Sequence, residues 1–258
     1  MRLKLLACKA LSRELSYLSS LSDNNIDVTF IRQGYHSAPD VLRRTLQEEI
    51  DAVESGRDSH TNELGGIGEE PSPYLPEDFD AILIGYGLCS NGVVGLRSKR
   101  HRLVIPRGHD CITLFLGSKE RYARCFQDWP GCFWYTASWI ENSSMPCEAA
   151  QKRQVEYYRE KGYDEDDLDY FLESMNDWTK TYRNAAYIRM PFFDKAEYQE
   201  FTRDAARFYG WDYNLVDGEM GLLERFIAGD WNEEDFLVVP PGKTVAASND
   251  ERIICCAD

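Results

Sequence analysis

Eight cysteines in 258 residues, at positions 8, 89, 111, 125, 132, 147, 255 and 256, carry most of the chemistry this chain could perform. Thiolates are preferred ligands of zinc and of iron-sulfur clusters. Cys89 and Cys111 stand in two glycine-bearing stretches, residues 85–92 (GYGLCSNG) and 106–111 (PRGHDC). Each follows a short apolar run, 81–84 and 103–105, that reads as a buried parallel strand. Cys8 ends a third such run at 3–7. Ligands of an open α/β sheet bind outside the carboxyl ends of its strands, so these three thiols are expected at one edge. The tail 252–256 is too apolar to be a free end, and Cys255 or Cys256 would supply a fourth ligand. No Cys-x-x-Cys pair occurs, so a metal site must be assembled from distant strands. Thiolate dominance over only four histidines favours an iron-sulfur cluster, with zinc as the alternative. The plainer alternative is that these cysteines are small buried hydrophobes.

Other residues of the same loops admit other chemistry. His109 lies two residues before Cys111 and could act as ligand, acid or base; Arg107 would face an anionic substrate or bound cofactor. With Cys111 near a helix start they also describe a thiol nucleophile. Gly85, Gly87, Ser90 and Asn91 could line a cradle for a phosphate or other small anion. Their spacing departs from G-x-G-x-x-G, however, and the P-loop motif is absent. A tight turn explains those glycines equally well. His36, His60 and His101 read as ordinary histidines, and the adjacent Cys255 and Cys256 as structural or singly ligating.

The elements that must position these residues follow a strand and helix alternation. Leu11, Leu15 and Leu18 recur at helical spacing, residues 26–31 alternate as a second strand, and Leu42, Leu46, Ile50 and Val53 form the stripe of the next helix. Residues 56–76 read as one long loop, mobile or a lid. After Cys111 a helix capped by Asp110 is expected, weakened by Gly117. Residues 132–139 read as a fifth strand, and helices are expected at 148–161 and 165–180, parted by Gly162. Strands at 187–190, 213–216 and 236–239 alternate with two more helices, and the tail folds back. This is an α/β pattern with mostly parallel, Rossmann-like sheet and helices on both faces. The pattern leaves open one large sheet or two similar halves. The expected division is an α/β half at 1–140 carrying Cys8, Cys89 and Cys111, a helical connection at 141–184, and a second α/β portion at 185–258.

A net charge of −15 argues against general affinity for nucleic acid, which requires a basic surface. No apolar run approaches the roughly 20 residues that span a bilayer. The first ten residues resemble a signal peptide only superficially, because Lys4 and Lys9 interrupt them. The cysteines lack the density of a disulfide scaffold, so a reducing, cytoplasmic setting is expected.

The motifs at 84–92 (IGYGLCSNG) and 106–118 (PRGHDCITLFLGS) resemble a domain-of-unknown-function family of methanogenic archaea and anaerobic bacteria. The resemblance is carried by about residues 80–122 and includes Cys89, His109 and Cys111 as motif positions. It implies an association with corrinoid-dependent methyltransferase systems and anaerobic one-carbon metabolism, without assigning a reaction. The expected function is therefore a metal-centre protein, an enzyme or accessory factor of that metabolism. The alternatives are a metal-free small-ligand module of a corrinoid system and a cysteine-nucleophile enzyme.

Overall fold

The structure, a computed structural model, describes residues 1–56 and 78–258. The chain divides into two units, Met1–Lys119 with Met220–Asp258, and Glu120–Glu219. Mostly parallel sheets with helices on both faces make it a mixed α/β protein of Rossmann-like arrangement. Apart from residue 56, the long loop expected at 56–76 lies outside the described residues.

The first unit begins with β1 (Arg2–Cys8), α1 (Ser12–Leu21), β2 (Asn25–Ile31), α2 (Pro39–Glu54), β3 (Ala81–Gly85), β4 (Leu103–Pro106) and α3 (Cys111–Leu116). Every residue of β1, β3 and β4 is buried, as continuous apolar runs require of central parallel strands. The exceptions in composition are Arg2 and Lys4 on β1; Lys4 is fully buried and paired at 3.0 Å with Asp27, its register partner on β2. Thus the lysine that interrupts the leader-like N-terminus is a paired interior residue. Helix α2 starts with a proline in its first turn and buries Leu42, Leu46, Ile50 and Val53.

After α3 the chain turns at Gly117, whose left-handed backbone ends the helix. The second unit comprises most of α4 (Lys119–Asp128), then β5 (Cys132–Thr136), α5 (Ala137–Asn142), α6 (Glu148–Glu160), α7 (Glu165–Asn176), β6 (Asn184–Arg189), α8 (Ala196–Tyr209) and β7 (Asp212–Asp217). Its sheet is parallel in the order β5-β6-β7. The expected strand at 132–139 stops at Thr136, because that hydroxyl accepts the Trp139 N–H and caps α5. Tyr135, Tyr187, Tyr198 and Trp211 anchor an aromatic core.

The chain then returns to the first unit through α9 (Gly221–Ala228), β8 (Phe236–Val239), β9 (Thr244–Ala247) and β10 (Ile254–Ala257). β8 lies antiparallel beside β4, and β9 and β10 form an antiparallel hairpin. The unit borders therefore differ from those expected at 140 and 184. Hydrophobic alternation shows that residues 236–239 form a strand but not which sheet they join; pairing with β4 assigns them to the first unit.

Candidate thiol site at the strand ends

The large sheet has the order β2-β1-β3-β4-β8. From β1 the chain moves outward to β2, then crosses to the opposite side of β1 to lay down β3. At such a reversal, here between β1 and β3, doubly wound proteins bind ligands outside the carboxyl ends of the strands. The register sets Ala7 beside Gly85 and Leu83 beside Val104, so β1, β3 and β4 end side by side. Cys8 is the last residue of β1, Cys89 follows β3, and Cys111 opens α3 after β4.

The two motif loops form one structure. Leu88 N–H donates to Gly108 O at 2.7 Å, and Cys89 N–H donates to His109 O at 2.9 Å. A Cβ on Gly87 would lie 2.7 Å from Gly108 O and 2.9 Å from the Asp110 nitrogen, so only glycine permits this approach. A Cβ on Gly85 would meet that of Ala7 at 2.7 Å. The Cα faces of Gly85 and Gly87 thus meet protein, the close packing that only glycine allows. Ser90 and Asn91 are exposed.

Cys89, Ser90 and Asn91 have φ of 44°, 57° and 67°, three consecutive left-handed residues without a glycine among them. Such a conformation costs about 1–2 kcal/mol per residue. It is held by the two interloop bonds, by Gly92 N–H to Cys89 O at 3.0 Å, and by the Arg43 guanidinium to Asn91 O at 3.1 Å. Cys89 is buried while its two neighbours face solvent.

Cys8, Cys89 and Cys111 act electrostatically on one another and on the buried Tyr86. Burial pushes the Cys8 thiol up, against the Ala10 backbone and the Tyr86 hydroxyl, which favour its thiolate. Cys89 is pushed up to about 12 by burial, then by Asp110 and Cys8. Cys111 is raised well above the usual thiol range by burial, then by Cys89, Asp110 and Cys8. Although protein atoms crowd Cys111 on most sides, part of its surface stays accessible to solvent. Asp110 accepts the Ile112 N–H at 2.9 Å and caps α3, as its position predicts. Tyr86 is 3% exposed, and among the described residues its hydroxyl approaches the Cys8 sulfur without a well-shaped hydrogen bond.

The remaining expected site residues stand elsewhere. The buried Arg107 does not face the thiols: its guanidinium donates to the carbonyls of Glu233 at 2.9 Å, Phe236 at 3.2 Å, Arg252 at 2.9 Å and Ile254. It ties the C-terminal segment to the sheet. The His109 side chain is exposed, and its contribution to the loop is the carbonyl that receives Cys89 N–H. Cys255 and Cys256 lie on β10, their thiols directed to the carbonyls of Ala247 at 3.7 Å and Ala257 at 3.8 Å. The expected fourth ligand is thus held within the hairpin. All eight cysteines are free. Among the described residues no group of three His, Cys, Asp or Glu side chains stands in the close array that a single ion takes, and no helix is long and apolar enough to cross a membrane.

Sequence reasoning missed Tyr86. Its position inside Gly-Tyr-Gly, one residue beyond a strand, was the available signal, but only packing reveals an orphaned hydroxyl beside three thiols. Fold and site together define a doubly wound α/β protein with a cysteine cluster at its topological switch point. The family described as "protein of unknown function (DUF1638)" matches residues 30–227, and the chain belongs to it. The matched span includes Tyr86, Cys89 and Cys111, while Cys8 and the tail cysteines lie outside it. No curated protein and no solved structure matches.

Proposed function

We propose that this protein binds a soft metal centre, an iron-sulfur cluster first and zinc second, through Cys8, Cys89 and Cys111. The observation that carries the reading is that three thiols from three adjacent strand ends act on one another. Their surroundings suit a cation: burial, Asp110 and the neighbouring sulfurs all oppose free thiolates, and bound metal would relieve that opposition. When bound, such a centre supplies electron transfer or a Lewis-acidic position for a substrate donor atom.

The nucleophile reading has less support. An attacking cysteine needs a lowered pKa, whereas Cys111 is raised and Arg107 is engaged by carbonyls. For the metal-free module, close packing alone already accounts for Gly85 and Gly87. The resemblance to proteins of methanogenic archaea and anaerobic bacteria suggests a cytoplasmic role in corrinoid-linked one-carbon metabolism, beside a small anionic substrate or a corrinoid-system protein.

The test is anaerobic purification, reconstitution with iron and sulfide, metal analysis and a visible spectrum. Stoichiometric iron or zinc, lost on Cys8→Ser, Cys89→Ser or Cys111→Ser and kept in the Cys255→Ser/Cys256→Ser double variant, is expected. A colourless protein without stoichiometric metal after reconstitution sinks the proposal.

A further inference from the structure

Tyr86 offers a hydrogen-bond donor that meets no well-shaped acceptor among the described protein atoms. Buried side-chain polar atoms are nearly always satisfied, yet this hydroxyl is not, on a residue only 3% exposed. Phenylalanine would fill the same volume without that orphaned group. The arrangement around it identifies the missing acceptor. Tyr86 follows β3 directly, its N–H closing onto Ile84 O at 2.9 Å, and its hydroxyl interacts with Cys8, Cys89 and Cys111. The Cys8 sulfur is close enough to be favoured as a thiolate by this hydroxyl, but a neutral thiol is a weak acceptor. Metal binding converts thiols to thiolates, and a charged sulfur accepts strongly.

We infer that Tyr86 is a positioning residue that donates its hydroxyl hydrogen bond to a sulfur of the loaded site, so that it is satisfied only when the metal centre is bound. This rests on the metal-centre reading of Cys8, Cys89 and Cys111. Outer partners of this kind commonly change metal affinity by about ten- to hundredfold, and hydrogen bonds to cluster sulfurs set the reduction potential.

Tyr86→Phe removes one oxygen and preserves the ring. In the metal-free protein the variant should melt at the same temperature as wild type or higher, since an unsatisfied group has been removed. After reconstitution with iron and sulfide it should hold iron about ten- to hundredfold more weakly in chelator competition, at a more negative midpoint potential. Equal affinity and potential, with wild type binding iron normally, overturn the role of Tyr86 and leave the metal reading standing. A lower melting temperature of the metal-free variant also overturns it, because the hydroxyl then already has a partner. Failure of wild type itself to take up iron overturns both.

Discussion

The two units use the same strand and helix alternation and each contains cysteines, yet only one gathers them into a site. In the first, the order β2-β1-β3-β4 reverses direction at β1, and the strand ends beside that reversal carry three thiols that act on one another. In the second, β5-β6-β7 are laid down in one direction, so no such reversal arises. Its cysteines serve locally instead. Cys132, at the start of β5, is pushed up by burial and, among the described cysteines, only by Cys125, buried in α4 seven residues earlier, while Cys147 caps α6 by accepting the Ala150 N–H at 3.4 Å. At its own strand ends stand a capping hydroxyl on Thr136 and the exposed Arg189–Asp217 ion pair at 2.5 Å. Topology decides which thiols meet; their number does not.

The largest test of this contrast exchanges thiols in both units. Cys89→Ser should abolish iron retention, whereas Cys132→Ser and Cys147→Ser should leave iron stoichiometry unchanged in metal analysis. Equal losses in both units would erase the distinction.

Arginines sharpen it next. Arg107→Ala leaves four carbonyls around a buried position without their donor, and urea denaturation should show a loss of about 3 kcal/mol or more. Arg189→Ala in the second unit deletes an exposed pair and should cost below about 1 kcal/mol. If the two variants proved equally stable, Arg107 would not be a strap for the C-terminal segment.

Acid should act on the first unit at the turn after α2. Glu54 accepts the Ser98 hydroxyl at 2.7 Å and the Arg100 N–H at 2.8 Å, while Asp78 meets the His101 ring at 2.8 Å. Burial opposes both carboxylates, but for Glu54 the Ser98, Arg100 and Lys99 bonds outweigh it, and for Asp78 the His101 ring, the Phe79 N–H and Arg100 do so. Both are held below the usual range. Their stabilisation is therefore complete at neutral pH and is lost as pH falls below about 4, where the unfolded carboxyls already bind protons. Glu54→Gln with Asp78→Asn should be less stable at pH 7 and flatten the acid limb of a melting-temperature profile.

The smallest effect concerns the left-handed turn. Ser90→Gly relieves a strained φ and should raise stability by about 0.5–1 kcal/mol in the same denaturation experiment. A decrease would show that the side chain, and not the backbone, holds the turn.

The sequence by itself determined the local elements and the loops that bear Cys8, Cys89 and Cys111, because strand and helix periods, caps and glycines are short-range properties. Asp110 was legible as a cap for the same reason. The helix at 137–142 escaped notice because an aromatic, β-prone run hid the Thr136 cap. Only the tertiary structure decided that β8 returns to β4, that Arg107 is consumed by the C-terminal carbonyls, that the tail thiols stay in their hairpin, and that an orphaned Tyr86 hydroxyl faces the three thiols. Each depends on which distant strands become neighbours, and long-range pairing leaves no periodic mark in the chain.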